Sequence, residues 1–406
     1  MLIWLFGCAE PDLSAALPAP SALPAISQER VIAHTRAILS VGPRLVATSG
    51  EEEAAEVVAA RFSAATLIPR NHWFTMDAWR PGTATIAIGG EIRPVRAFSP
   101  TPISRVVAPL AATGDLADAV AVYSSETGSR AEQFLLSLAA GSSAFVRITE
   151  SIGPAGEELV EVGHTLQGSQ LPGLGVAESD GAWVREHLGE WATLEVVPDI
   201  AERHLTRNIE AVREGSGPGT VVVVAHYDSW DLSESAFDNG LGVGALLAYA
   251  DRIAAGPVPE QTILLLATTG EEQGLRGASA YVSDHPELFA EPVTVITLDV
   301  VWSGAGTYLV MATDAEWITS GVFAAEEEGI EAVAGEGPGV ASDHFPFATA
   351  GASAFWAGRF GDPHYHTSAD TLEGFDADEA TAAARANWRV IAQAAGLDPD
   401  PGPFHE

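Results

Sequence analysis

The chain has 406 residues, 47% of them hydrophobic and 18% charged, which is enough for two or three domains and a large buried core. Acidic residues number 55 against 20 basic ones, none of them lysine, and the formal net charge is −35. So strong a negative field repels nucleic acid and anionic membrane surfaces, and both are set aside as partners.

Cysteine occurs once, at Cys8, so no intrachain disulfide can form. It follows the apolar run 1–7, and Leu5-Phe6-Gly7-Cys8 resembles a bacterial lipobox, whose cysteine carries lipid. The Ala/Pro/Ser-rich stretch that follows suits an extended tether. Residues 1–26 are therefore expected to be a lipoprotein-type signal remnant and tether. A lipid anchor through Cys8 would place the protein at the cell envelope, in the periplasm or outside the cell. A frayed hydrophobic N-terminus is the plainer alternative. No other segment is apolar and long enough to span a bilayer.

Residues 27–39 have helical periodicity and lead into Val41-Gly42-Pro43-Arg44. A second helix is expected over 50–62, with Ser49 as N-cap and Glu52 closing a capping box. Glu51-Glu52-Glu53 then forms a solvated first turn with no catalytic role. From 71 to 97 the pattern turns to short strands. A Pro/Ser/Thr loop at 99–104 marks a candidate boundary. Beyond it, strands are expected at 119–123, 143–148 and 192–197, and helices at 131–140 and 180–188. This compact α/β unit holds no cluster of histidines and carboxylates, and its isolated His164 fits a surface or loop residue.

Residues 206–212 form a further strand, and 215–219 a turn. The stretch 221–248 begins as a β-branched run, breaks into a polar loop with His226, Asp228 and Asp238, and ends as a Gly/Ala/Leu helix. Strands at 261–268, 293–301, 307–312 and 353–356 then alternate with helices at 274–283, 315–328 and 376–395. Such alternation predicts an α/β sheet covered by helices on both faces. Glu326-Glu327-Glu328 is expected on the surface.

Four loops at strand ends carry the polar residues. They hold His226, Asp228 and Asp238; Glu271-Glu272; Asp299; and His364-Tyr365-His366 with Asp370. Each alone is weak, since strand-end acids cap turns and paired glutamates start helices. Their combination matters, because ligands of open α/β sheets bind outside the carboxyl ends of strands. Mixed imidazole and carboxylate ligation suits Zn²⁺ better than Mn²⁺ or Co²⁺.

His226-Tyr227-Asp228-Ser229, Asp238-Asn239-Gly240, Gly270-Glu271-Glu272-Gln273-Gly274, Leu298-Asp299, Ser342-Asp343-His344 and Tyr365-His366-Thr367 occur in the order of the M28 family of zinc aminopeptidases and carboxypeptidases, which this chain resembles from about 208 to 396. Gly42-Pro43-Arg44 is similar to that family's N-terminal region. The middle unit resembles the protease-associated insert of many members, through its strand order and Leu171-Pro172-Gly173-Leu174-Gly175-Val176.

The resemblance implies a three-layer α/β/α peptidase fold with a mixed, mostly parallel sheet, and a smaller inserted α/β domain. The peptidase domain would then comprise 27–98 and 201–406, with the insert at 99–200. Two zinc ions are implied, bridged by Asp238. His226 and Asp299 would complete one metal, Glu272 and His366 the other. Glu271 would be the general base acting on a metal-bridging water. Asp228 would orient His226, and Tyr365 would stabilise the oxyanion. Asp343, His344 and Phe237 are expected near the substrate. The implied activity is exopeptidase cleavage of a peptide or protein with a free terminus, foremost as an aminopeptidase. A carboxypeptidase or dipeptidase is the first alternative, prompted by Ser229-Trp230-Asp231. A glutaminyl cyclase and a non-catalytic receptor-like homologue are the others.

Overall fold

The computed structural model describes residues 25–399 apart from 166–168, 336, 340–341 and 375. The lipidation reading of Cys8 and most of the tether lie outside the described residues. The strands are β1 (Arg70–Ile88), β2 (Glu91–Pro94), β3 (Arg96–Ala97), β4 (Ser104–Ala111), β5 (Val120–Ser124), β6 (Ala144–Thr149), β7 (Gly173–Ala177), β8 (Trp191–Arg213), β9 (Thr220–His226), β10 (Thr262–Thr268), β11 (Val293–Thr297), β12 (Thr307–Ala312), β13 (Ala332–Ala334) and β14 (Ser353–Phe360). The helices are α1 (Gln28–Leu39), α2 (Ser49–Ala64), α3 (Arg130–Ala140), α4 (Glu178–Glu186), α5 (Leu241–Ala255), α6 (Arg276–Asp284), α7 (Ala315–Glu327), α8 (His344–Thr349) and α9 (Ala377–Ala394).

The main sheet runs β13-β12-β14-β11-β9-β10-β8, with β1 antiparallel on the far side of β8. Its centre is parallel: β10 on β9, β9 on β11, and β11 on β14. The run Val221–Ala225 explains why helices cover both faces. Side chains alternate along a strand, and here both sets are apolar. Val221, Val223 and Ala225 join a core with Phe62, Leu246 and Ile391, from α2, α5 and α9. Val222 and Val224 join another with Tyr281 of α6 and Phe347 of α8. Full burial of each valine contributes roughly 1.5–3 kcal/mol. The result is the expected α/β/α sandwich with a mixed, mostly parallel sheet.

A second sheet region carries β4, β5, β6 and β7 in parallel neighbours, with β3 antiparallel at the end. Trp183 and Val184 of α4 pack on one side of it. Phe134 of α3 packs on the other, against Phe98 and Phe145. This unit is joined to the main sheet by β1 and β8. The first part of β8 pairs with β4 and its last part with β10, while β1 follows it along most of its length. The strands expected at 192–197 and 206–212 are thus one continuous element, and the boundary expected after residue 200 falls inside it.

Other local expectations differ from the structure. The N-cap of α2 is Thr48 and makes no side-chain cap hydrogen bond, so the Ser49–Glu52 capping box does not form. Glu51 points inward: it is 3% exposed and accepts from Ala47 N, Thr206 Oγ1 and Thr269 Oγ1. Glu328 is also drawn in, between Arg385 and Arg389.

Candidate metal centre

β9 ends on His226, and the chain leaves the sheet into a buried loop. That loop is held by Arg44, whose side chain is fully buried. Its Nε donates to Tyr227 O (2.7 Å), Nη1 to Glu234 O (2.6 Å) and Nη2 to Ser235 O (3.1 Å). Ser229 adds two bonds to the Arg44 backbone, one from its amide and one to its hydroxyl. At the far end, the Asp370 carboxylate accepts from Phe237 N (2.9 Å) and Asp238 N (3.2 Å). Asp238 is therefore fixed through its backbone from two sides. Asn239 Nδ2 then donates to Leu298 O (2.7 Å). Gly242 opens α5 against that carbonyl; a Cβ there would stand 2.3 Å from Leu298 O.

Two groups of ligand-type atoms converge on Asp238, each with its atoms within 4.8 Å of one another. In one, His226 Nε2 lies 3.2 Å from Asp238 Oδ1 and 3.3 Å from Asp299 Oδ1. In the other, His366 Nε2 lies 2.8 Å from Asp238 Oδ2 and 3.3 Å from Glu272 Oε2. The two oxygens of one carboxylate thus face different imidazoles. The backbone is strained around this point. Ser235, Leu275, Val300 and His366 all take positive φ, between 46° and 59°, a conformation costing about 1–2 kcal/mol per residue.

Burial opposes charge here, yet the groups titrate as a dense cluster. His366 is disfavoured as a cation by burial, but the Glu272 and Asp238 carboxylates push it up to about 9. His226 is raised in the same way by Asp299 and Glu271. Burial lifts Glu271 well above the usual carboxylate range, and Asp299, Glu272 and Asp343 add to that. Glu272 rises to about 6 through burial and Asp238. Burial would raise Asp238, but hydrogen bonds to both imidazoles hold it below the ordinary range. Glu272 Oε1 is buried with no hydrogen-bond partner among the described residues. A buried carboxylate oxygen left so is costly, and a cation held with Asp238 and His366 would satisfy it. Two imidazoles and three carboxylates, with no thiolate, fit zinc.

The remaining expected residues lie at different depths. Glu271 and Tyr365 line the cleft over the two groups, with Val300, Trp356 and Phe360 as an apolar wall. Asp228 is buried beneath; its oxygens accept from the amides of Glu271 (3.2 Å) and Glu272 (3.3 Å). Its carboxylate is 3.6 Å from His226 Nδ1, whereas its own carbonyl is nearer, at 3.2 Å. Asp228 thus holds the glutamate loop, and the carbonyl is the closer acceptor for His226. Phe237 is buried and stacks on Tyr365, which stacks on His366 at 3.8 Å. Asp343 and His344 are buried too, and Asp343 accepts from Thr268. The structure does not bring Phe237, Asp343 or His344 to the cleft surface.

Three further contributors have no signal of their own in the sequence. Arg44 and Asp370 stand there only as members of longer motifs. His164, expected as a surface or loop residue, lines the same cleft as Asp238, Glu271 and Asp299.

Residues 208–391 match Peptidase family M28. The chain is 28% identical over 367 residues to aminopeptidase YwaD of Bacillus subtilis, across 82% of this chain and 77% of that protein. It superposes on the structure of BSAP, a zinc aminopeptidase from Bacillus subtilis, with a TM-score of 0.71 and 23% identity, over 94% and 98% of the two chains. A Porphyromonas gingivalis glutaminyl cyclase shares the fold more distantly, with a TM-score of 0.53 and 14% identity over 91% and 98%. A three-layer sandwich with this donor set at the carboxyl ends of its parallel strands is that of a zinc metallopeptidase. The match to peptidase family M28 spans residues 208–391 and takes in all five ligand-type residues.

Proposed function

We propose that the protein is a dinuclear zinc aminopeptidase. The observation that carries this reading is the placement of Asp238, one carboxylate oxygen toward His226 and Asp299 and the other toward His366 and Glu272. Those five residues would hold two zinc ions. When bound, the ions supply Lewis acidity and lower the pKa of a shared water. Glu271 belongs to neither donor group and faces the cleft, so it is free to take a proton and return it to the leaving amine. Its raised affinity for protons suits a base working near neutral pH. Tyr365 is kept protonated by burial and by Asp238, Glu272 and Asp299, and in this reading its hydroxyl donates to the developing oxyanion. Val300, Trp356 and Phe360 offer an apolar surface to the substrate side chain. Resemblance to YwaD over most of both chains supports attack at the amino end.

The test combines metal content with end specificity. We expect close to two zinc ions per chain, and stepwise release of amino acids from peptides with a free N-terminus, read by mass spectrometry. N-acetylated peptides should be refractory and C-amidated ones cleaved. The reverse pattern would make the enzyme a carboxypeptidase. One zinc with cyclisation of N-terminal glutamine would make it a glutaminyl cyclase. The protease-associated character of the middle unit, and export with lipidation at Cys8, belong to the same proposal.

A further inference from the structure

The middle unit meets the metal centre directly. Val162 N donates to His366 O (2.9 Å). Arg130, at the start of α3, reaches across to His366 Nδ1 (3.3 Å) while its Nε donates to His164 O (3.0 Å). It also binds Glu161 and the carbonyl of Val162. Gly163 takes φ of +137°, and a Cβ there would lie 2.3 Å from the Arg130 guanidinium carbon. From the other side, Ser99 N donates to Gly163 O (2.9 Å) and Thr165 N to Ser99 O (2.5 Å). The segment 161–165 is thus pinned on both edges, with the His164 ring projecting into the cleft that holds Asp238, Glu271 and Tyr365.

His164 is exposed, and its ring makes no hydrogen bond among the described residues. We infer that His164 is a substrate-binding residue, contributed by the middle unit, that hydrogen-bonds the peptide main chain in the cleft. The other groups facing the cleft are committed. The carboxylates Asp238, Glu272 and Asp299 form the donor sets, Glu271 handles the proton, and Trp356 and Phe360 present apolar surface. Arg130 is taken up by the segment itself. An imidazole with an ordinary pKa of about 6.5 is mostly neutral at pH 7, and presents one donor and one acceptor nitrogen. A neutral donor–acceptor matches an amide better than a charged chain terminus.

The inference rests on the peptidase reading above and is tested apart from it. His164→Ala and His164→Gln are compared with wild type on a tripeptide with a free N-terminus, in zinc-loaded full-length protein. For His164→Ala we expect KM to rise at least tenfold, kcat to stay within about threefold, and zinc content and Tm to be unchanged; His164→Gln should recover part of the KM. Independently, in the Glu271→Gln background, His164→Ala should weaken calorimetric binding of a tripeptide with a reduced, uncleavable first peptide bond at least tenfold. Unchanged KM and binding, or a loss that follows lost zinc or lowered Tm, overturns the role of His164 while leaving the peptidase reading intact. A zinc-loaded wild type inactive on every free-ended peptide overturns both.

Discussion

Replacing Arg44 with methionine tests how the bridging carboxylate is held. The substitution keeps length and apolar stem but removes four hydrogen bonds, to Tyr227 O, Glu234 O, Ser235 O and, more weakly at 3.4 Å, Gly42 O. Hydrogen bonds to a charged group contribute about 1.5–3 kcal/mol each, and the carbonyls left behind are buried. Against that loss stands the relief of a buried charge, whose desolvation costs several kcal/mol. Desolvation is large enough here to lower the Arg44 pKa to about 10. The net expectation is a loss of about 3 kcal/mol, at the low end for breaking a buried charged network. Urea denaturation of the metal-free protein measures it. Zinc affinity, from competition with a chelator, discriminates more sharply. Removing a cation that faces Asp228, Asp238, Glu272 and Asp370 should, by Coulomb's law alone, tighten zinc binding. If Arg44 instead acts by fixing residues 234–238, zinc binding weakens about 10–100-fold, the range for losing a group that orients a ligand. Tighter zinc binding, or stability within about 0.5 kcal/mol of wild type, would refute the positional argument.

Glu271→Gln should lower kcat by about 10²–10⁴-fold, the usual share of a general base, with zinc stoichiometry unchanged, because Glu271 lies in neither donor group. Its folded-state pKa is raised, so the metal-free wild type loses stability as pH climbs from the unfolded value toward the folded one. The glutamine variant escapes that loss, and its metal-free Tm at pH 8 should exceed wild type; an equal or lower Tm would contradict the burial argument. His366 is raised to about 9 in the metal-free protein. Its stabilising contribution is complete below pH 6.5 and disappears as pH rises through 9. Zinc must displace that proton, so binding at pH 7 should release protons in calorimetry across buffers of different ionisation enthalpy, and affinity should fall as pH is lowered; no proton release would count against His226 and His366 as ligands. Full-length protein expressed in a bacterial host should incorporate labelled palmitate and lose it on Cys8→Ser, and an exported protein without label would remove the anchor.

Part of the ligand set is legible in the sequence because it lies at the ends of hydrophobic strands: His226 after Val221–Ala225, Asp299 after Val295-Ile296-Thr297-Leu298 and Glu272 in the loop after the β10 run. Their convergence needs only the rule that such strand ends share one edge of the sheet. Glu51 is not legible. A glutamate triplet at a helix start looks solvated, and only the arrival of Thr206 and Thr269 from distant segments makes it a buried acceptor. Pro198 and the charged Asp199, Glu202 and Arg203 look like a break, but β1 pairs along β8 on both sides of them and carries the strand through. His164 has nothing local to distinguish it. Its position comes from Arg130 and Ser99, 34 and 65 residues earlier in the chain.

The long β1–β8 ribbon makes the cleft wall and the catalytic sheet parts of one beam. Residues 191–196 of β8 anchor the unit bearing His164, and residues 209–213 are laced to β10, whose end leads into the Glu271 loop. A rigid-body swing of the middle unit would tear this ladder, so opening of the cleft has to be a twist of the ribbon. The places where it yields most readily are its register shifts, between Met76 and Ala78 and between Arg80 and Thr83. Excising the middle unit would cost more than a wall: it would strip β8 of β4 and leave Trp191–Val196, the first six residues of a 23-residue strand, without their outer partner.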